Sequence, residues 1–519
     1  MKNPKRRISV AILIVSLFLT ACSPEPASST KQSPVSLERL KEHLEYLASD
    51  ETEGRMTGSD GYKKAADYAA GQFSSFGLAP GWTGDDGKKT YLQPVPFIRY
   101  RYGLNNILTI KTNDEIKKFN AESRKFEVLC PGKGSLDIQQ AQPVFVGYGI
   151  YEPDLGWDDY AGLDVEGKIL IMMMNLPESS NQPEEMPTSV LQKYSDGRNR
   201  DVFRIQTIIE KKAAGAIIVP DRNFLRFWDR VLAQRKRINF TPAEDYRGVG
   251  HAEPPIPIIL VHPDIAEDLF AGAGFNPVSG EGKYRTHMMN ETGVALRIDV
   301  TKETFNCYNV IASLPGTDPE RADEFVTVGA HLDHLGKEGN VVFYGANDDA
   351  SGCAAVLQIA EAVAANPLPR PVIFVLFTAE ETSFFAGSLH FIAHSPVPVE
   401  NIMVNVNLEQ LAGKNRTVRV AEGYGPESFR ESFLAAEKRA PKLDVPYYPW
   451  ESRLSVIGGS DTWSFYLKDV PGVLIGAGGF PEHHTPQDNL DLIDFEHFQK
   501  VTLFIYEFIR ELGNTAKEI

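Results

Sequence analysis

Hydrophobic residues recur along this chain with more than one period, and the changes of period mark out its parts. LERLKEHLEYLAS carries Leu37, Leu40, Leu44 and Leu47 at helical spacing, and GYKKAADYAAGQFSSFGL repeats that pattern through Tyr62, Ala66, Tyr68, Ala69, Phe73 and Phe76. Two helices are expected there, joined by the turn-rich DETEGRMTGSDG. From about Gln142 to Asp299 the texture changes to short β-like runs, VFVGYGI, GKILIMMM, GAIIVP and PIPIILV, separated by loops. After Asn309 the runs NVIASLP, EFVTVGAH, PVIFVLFT, NIMVNVNL and VPGVLIGAG have the continuous apolar character of buried parallel strands. Helical stretches such as CAAVLQIAEAVAA and FEHFQKVTLFIYEFIREL accompany them. The pattern predicts an α/β body with a mixed, mostly parallel sheet flanked by helices, whose chemistry collects at the carboxyl ends of the strands. Residues 37–141 and 300–519 form this body, and 142–299 a β-rich insertion.

The first residues read as an address. Lys2, Lys5, Arg6 and Arg7 precede an apolar run from Ile8 to Leu19, too short to cross the ~30 Å hydrocarbon core as a helix. Residues 1–21 are expected to be a signal peptide. Leu19-Thr20-Ala21-Cys22 resembles the bacterial lipobox, which implies lipidation of Cys22. Ser23, following that Cys, resembles the outer-membrane sorting signal of Gram-negative lipoproteins, so the expected location is the bacterial cell envelope, facing the periplasm or the exterior. Residues 22–36, rich in Ser and Pro, are expected to be a flexible tether.

Composition narrows the function. With 519 residues the chain exceeds what one core usually supports. It holds 53 Lys+Arg against 69 Asp+Glu, a formal charge of −16 that falls to −20 once residues 1–21, with four basic and no acidic side chains, are removed. That balance argues against a general nucleic-acid binder, whose affinity rests on cations neutralising phosphates. Cys130, Cys307 and Cys353 lack the spacing of a structural zinc site or a disulfide framework.

Candidate chemistry gathers at the strand ends. EFVTVGA runs into His331-Leu332-Asp333, and a period of two puts His331 and Asp333 on one side, as for a metal-binding imidazole oriented by a carboxylate. Asp348 and Asp349 lie in an acidic turn before a helix, where N-capping is an equally good reading. PVIFVLFT ends on Glu380-Glu381, two carboxylates that repel unless something positive sits beside them. NIMVNVNL delivers Glu409, and the last strand leads to Pro481-Glu482-His483-His484-Thr485-Pro486. Neither G-x-S-x-G nor H-E-x-x-H occurs.

In order and local context these residues resemble the dinuclear-zinc exopeptidase family that contains bacterial leucine-type aminopeptidases and glutamate carboxypeptidases. The shared signatures are HxD, D-x-x-S-G, E-E ahead of G-S, an acidic residue after N-x, and a late H-T, over about Leu37–Leu512 apart from the insertion. The resemblance implies a phosphorylase/hydrolase-like fold and two zinc ions bridged by Asp348. His331 and Glu409 would complete one site, and Glu381 and His484 the other. Glu380 would be the general base and acid, and Asp333 the group that orients His331. Glu409 stands where most members have Asp, the spacing from Glu381 to Gly387-Ser388 is one residue longer than usual, and His483 replaces a Tyr that supports the tetrahedral intermediate. Asp461, in Gly459-Ser460-Asp461, matches a recurrent S-D motif and would hold a substrate amine or shape a loop. A cis peptide is expected between Asp348 and Asp349.

GWDDYAGLDVEGKILIM and KKAAGAIIVPD within the insertion resemble a protease-associated domain, and EGRMTG and GLAP resemble the amino-terminal part of these enzymes. The implied activity is an aminopeptidase acting on peptide substrates and tethered to a membrane by its lipid anchor. The alternatives are a glutamate-carboxypeptidase-type enzyme and a non-catalytic peptide-binding lipoprotein on the same scaffold.

Overall fold

The computed structural model describes residues 33–519 apart from 113–114, 177–185, 196, 238, 247–252, 272, 274–275, 280–284, 383–384, 415–417, 425–426, 444–446, 449–458, 477–479 and 516–519. The expected signal peptide, Cys22 and most of the expected tether therefore lie outside the described residues. The tether is shorter than its composition suggests. Val35 is fully buried, its carbonyl accepts a bond from Gln499 Nε2 at 2.9 Å, and Ser36 caps the first helix by accepting from the Arg39 N–H. Residues Val35–Ile519 form one compact unit.

Two helices open the body as the periodicity predicts, α1 (Leu37–Leu47) and α2 (Asp60–Ser75), the second capped by Ser59. The main sheet contains β1 (Leu92–Tyr102), β2 (Val300–Leu314), β3 (Phe325–His331), β4 (Val372–Phe377), β5 (Ile402–Glu409), β6 (Arg419–Tyr424) and β7 (Gly472–Gly476). Their spatial order is β1-β2-β4-β3-β5-β7-β6. The pairs β4–β3, β3–β5 and β5–β7 are parallel, whereas β1–β2, β2–β4 and β7–β6 are antiparallel. The sheet is thus mixed, with a parallel centre. NVIASLP, expected to be parallel, belongs to β2 and runs antiparallel to both neighbours.

β4 is buried along its whole length because helices cover both faces. One side packs Val326, Val328, Ala330, Val404, Val406 and Leu408 into the core shared with α1, α3 (Ser351–Ala365) and α5 (Phe495–Asn514). The other side packs Ile373, Val375 and Phe377 with Phe391 of α4 (Ala386–Ala393) and with Phe465.

The insertion begins earlier than residue 142. β1 and β2 form a long antiparallel hairpin, in register from Leu92↔Val310 to Tyr102↔Val300, and the Gly103 N–H donates to the Asp299 carbonyl at 2.8 Å. Most of the described residues between Gly103 and Asp299 extend from the tip of that hairpin. Ile107–Lys111, Ile116–Asn120 and Leu136–Ala141 share a sheet with Gly293–Ile298, and Phe126–Pro131 pairs with Pro257–Val261. Strands on both sides of Tyr102 have the same period, so the pattern carried no boundary there; pairing partners revealed it. Phe240–Pro242 returns to the main sheet along Phe97–Arg99. Cys130, Cys307 and Cys353 are free and buried.

Candidate metal centre

The parallel centre of the sheet delivers the side chains singled out above to one place. β3 ends on His331 and β5 on Glu409, the turn after β4 carries Glu380 and Glu381, Asp348 precedes α3, and His483 and His484 follow β7. Donor atoms of His331, Asp348 and Glu409 lie within 4.8 Å of one another, as do those of His331, Glu380 and Glu381, and of Asp348, His483 and His484. His331 Nε2 is 3.2 Å from Asp348 Oδ1, and His484 Nε2 is 2.8 Å from Glu381 Oε2 and 3.4 Å from Asp348 Oδ2.

The backbone is bent to achieve this convergence. Ala379, Gln410 and His484 all take positive φ, 57°, 58° and 60°, where a side chain is disfavoured by roughly 1–2 kcal/mol. Gly345 has φ 56°, and a Cβ there would lie 2.2 Å from the Asp348 carbonyl oxygen and 2.4 Å from His334 Cγ, so only glycine fits. The Asp348–Asp349 peptide is cis, as the family resemblance implied.

Side chains of the N-D-D-x-S turn hold the chain that follows Glu409. Asp349 Oδ1 accepts the Gln410 N–H at 3.0 Å, Ser351 Oγ the Leu411 N–H at 2.9 Å, and Asn347 Oδ1 the Ala412 N–H at 2.9 Å. From behind, Asp488 accepts the Asn347 and Asp348 N–H groups at 2.8 and 3.1 Å. The carboxylates of Asp348 and Glu409 are thereby oriented by each other's loops.

Asp333 works differently from the expectation. The backbone carbonyl of Asp333, not its carboxylate, meets His331 Nδ1 at 3.0 Å. The carboxylate accepts the N–H groups of Glu380 and Glu381 at 3.0 and 3.3 Å and the Thr57 hydroxyl at 3.1 Å. The physical reason is that β3 stops at His331, so alternation no longer governs where Asp333 points. It orients the two-glutamate turn instead.

Two positioning residues and one imidazole escaped the sequence reading. Arg55, from the EGRMTG loop, is fully buried and donates to the carbonyls of Leu332, Leu47, Tyr344 and Gly345 at 2.5–2.9 Å, tying the His331 segment to the turn of Asp348. Thr57 joins it through Asp333. His334 is fully buried with Nδ1 2.9 Å from Glu381 Oε1, and it forms a donor group with Asp348 and Glu381. The only sequence signal was its place in the run His331-Leu332-Asp333-His334.

The donor set fits metal ions. His331 Nε2 and Asp348 Oδ2 are buried without a hydrogen bond of ordinary geometry although each has an ionisable neighbour within about 3.2 Å, as expected of atoms that would bind an ion. His334 Nε2 is likewise buried and unbonded. The carboxylates crowd one another. Burial and the carboxylates of Glu381, Glu409 and Asp461 push Glu380 well above the ordinary range, against His331, and burial, opposed by His331 and assisted by the carboxylates of Asp348, Asp461 and Glu381, brings Glu409 to about 7. Such a cluster calls for added positive charge. Asp461 is fully buried with neither oxygen in a hydrogen bond of ordinary geometry; burial raises it to about 6, with His331 and the Ser388 hydroxyl opposing. His483 stacks on His484 with ring centroids 3.7 Å apart. These two imidazoles are the accessible members, with side-chain exposures of 36% and 29% against 2% for Asp348. The centre opens on their side.

Residues 309–509, which contain every one of these donors, match the profile of Peptidase family M28. The match covers less than half of the chain and makes the strand-end centre similar to that of this family. Among curated relatives, the chain is 28% identical over 277 residues to a probable leucine aminopeptidase 2 of Aspergillus oryzae, covering 47% of itself and 53% of that protein. It is also 28% identical over 207 residues to the aminopeptidase YwaD of Bacillus subtilis, covering 36% of itself and 42% of that protein. It therefore spans about half the length of the curated relatives it matches. Among solved structures, an aminopeptidase from Aneurinibacillus sp. strain AM-1 superposes with a TM-score of 0.58 at 19% identity over 94% of this chain and 96% of that one. A zinc aminopeptidase from Bacillus subtilis superposes with a TM-score of 0.52 at 15% identity, over 94% and 98%. At these identities the likeness shows a shared fold.

Proposed function

We propose that this chain is an aminopeptidase of the M28 type, dependent on two zinc ions. The observation that carries the reading is the convergence of His331, Asp348, Glu409, Glu381 and His484 around Glu380 at the ends of parallel strands. His331, Asp348 and Glu409 would hold one ion, and Asp348, Glu381 and His484 the other, with His334 a further imidazole on the Glu381 side. Ions so held supply Lewis acidity that polarises a carbonyl and acidifies water. Glu380, whose N–H is fixed by Asp333 Oδ1, takes a proton from the attacking water on its carboxylate and returns it to the leaving amine. His483, exposed at the rim, faces the substrate and donates a hydrogen bond to the developing oxyanion. Asp461 is buried within electrostatic reach of His331, and its charge would attract a substrate amine.

The test is digestion of peptides free or blocked at each end, followed by mass spectrometry. Stepwise loss from free amino termini, abolished by a chelator and restored by zinc, is the expected result. Loss from carboxyl termini would move the assignment to a carboxypeptidase, and intact peptides beside tightly bound zinc would favour a binding protein.

His334→Ala gives a separate check on how the ions are held. It is expected to weaken zinc retention on the Glu381 side by roughly 10–100-fold, the usual cost of losing a partner that orients a metal-binding group. Competition with a chromophoric chelator measures this, and unchanged retention would show that His334 is only a packed core residue.

The amino-terminal sequence supports an envelope lipoprotein acylated at Cys22, and the β-rich insertion supports a protease-associated domain. Intact-mass analysis of membrane-extracted protein tests the first: unmodified Met1 or Cys22 would exclude lipidation.

A further inference from the structure

A second group of metal-type donors lies away from the strand ends, on the helix that follows the two-glutamate turn. His390 and His394 are four residues apart at the end of α4, so their rings share one face, with centroids 4.3 Å apart. Glu244 reaches them from the segment just after Phe240–Pro242, a part of the insertion that runs along β1. Glu244 Oε2 is 2.7 Å from His394 Nε2, and Glu244 Oε1 is 3.7 Å from His390 Nδ1. Donor atoms of the three residues lie within 4.8 Å of one another, the same closeness seen at the strand-end centre. The Tyr246 hydroxyl is 2.5 Å from His390 Nδ1.

The setting suits an ion. The His390 side chain is only 6% exposed and the His394 side chain 43%, so the group has a buried floor and a mouth open to water. Burial brings His390 down to about 4, which leaves its ring neutral with a lone pair to give. The Gln93 amide holds the His394 main chain by donating to its carbonyl at 3.0 Å, and a hydrogen bond with the Pro94 backbone fixes the His390 ring. Two imidazoles and one carboxylate are a donor set that favours zinc-class ions over magnesium or calcium, which take oxygen donors.

We propose that Glu244, His390 and His394 form a separate site for a divalent transition ion of the zinc class, with the Tyr246 hydroxyl or a water at its fourth corner. The ion would clamp the insertion's strand Phe240–Pro242, at the edge of the main sheet, to α4, the helix that begins just beyond Glu380 and Glu381. Its role is to fix the edge of the main sheet, and no step of peptide hydrolysis passes through it.

Zinc binding to the full chain decides the matter. Protein stripped with a chelator is titrated with zinc alone by equilibrium dialysis, as wild type and as His394→Gln and Glu244→Gln, both partly exposed positions. Each variant is expected to bind one zinc equivalent fewer than wild type, and zinc should raise the melting temperature of wild type more than that of either variant. An Asp348→Ala chain, disabled at the strand ends, should keep one equivalent that a further His394→Gln removes. Equal stoichiometry in wild type and His394→Gln would overturn the proposal, whether or not the Asp348 variant folds. The count is independent of peptide hydrolysis, so failure of the aminopeptidase reading would leave it standing.

Discussion

Glu380→Gln is expected to lower turnover by ~10²–10⁴-fold, the range contributed by a positioned general acid-base group, while the zinc content stays at the wild-type value. The two outcomes separate because of how Glu380 is placed. Its backbone N–H is held by Asp333 Oδ1 at 3.0 Å, which the substitution does not touch, and an amide has nearly the shape of the carboxylate it replaces. What the amide lacks is the ability to carry a proton from water to the leaving amine. Parallel measurement of kcat and of bound zinc checks both halves. A variant that keeps more than a tenth of the wild-type turnover would remove Glu380 from the mechanism, and one that loses zinc would make it a metal-holding group.

The second large effect is on stability, at a residue distant in sequence from every candidate donor. Arg55→Met should cost on the order of 3–5 kcal/mol of folding stability. Arg55 is fully buried and satisfies four carbonyls, and each acceptor stranded without a partner costs ~1–3 kcal/mol, part of which relaxation and the removal of a buried charge return. Two of those carbonyls, Leu332 and Gly345, belong to the segments that present His331 and Asp348, so zinc affinity should fall as well. Urea unfolding of the zinc-free protein measures the stability, with the slope of the transition unchanged if the effect lies in the folded state. A loss below about 1 kcal/mol would show that water replaces the guanidinium at low cost. Arg55→Lys, which keeps the charge but not the fork of donors, should fall between wild type and Arg55→Met.

How much of the centre was legible follows from what each residue depends on. His331, Glu380, Glu381 and Glu409 are each read from an apolar run that stops at a polar residue, a local signal, and Asp348 and His484 from turns whose residues are unusual in themselves. The orienting role expected for the Asp333 carboxylate failed because it extended the strand period two residues past the strand's end. His334 was overlooked because one imidazole beside another carries no period and no spacing to mark it. Arg55 and Thr57 sit in a loop with no pattern; their importance lies in partners 277 and 276 residues away.

The same contrast holds for the fold. The helices α1, α2, α3 and α5 and the strands β3, β4, β5 and β7 were determined by the sequence on its own, since side-chain period, capping Ser and Asp residues and run length act within a few positions. Their order in the sheet was decided only by the tertiary structure. So were the antiparallel direction of β2, the start of the insertion at Gly103 and the burial of Val35 at the end of the expected tether. Each depends on which surfaces meet when the chain closes, and hydrophobic burial is non-directional: it tells a strand to bury both faces without naming the neighbour. The meeting of Glu244 with His390 and His394 across 146 and 150 positions is of that second kind.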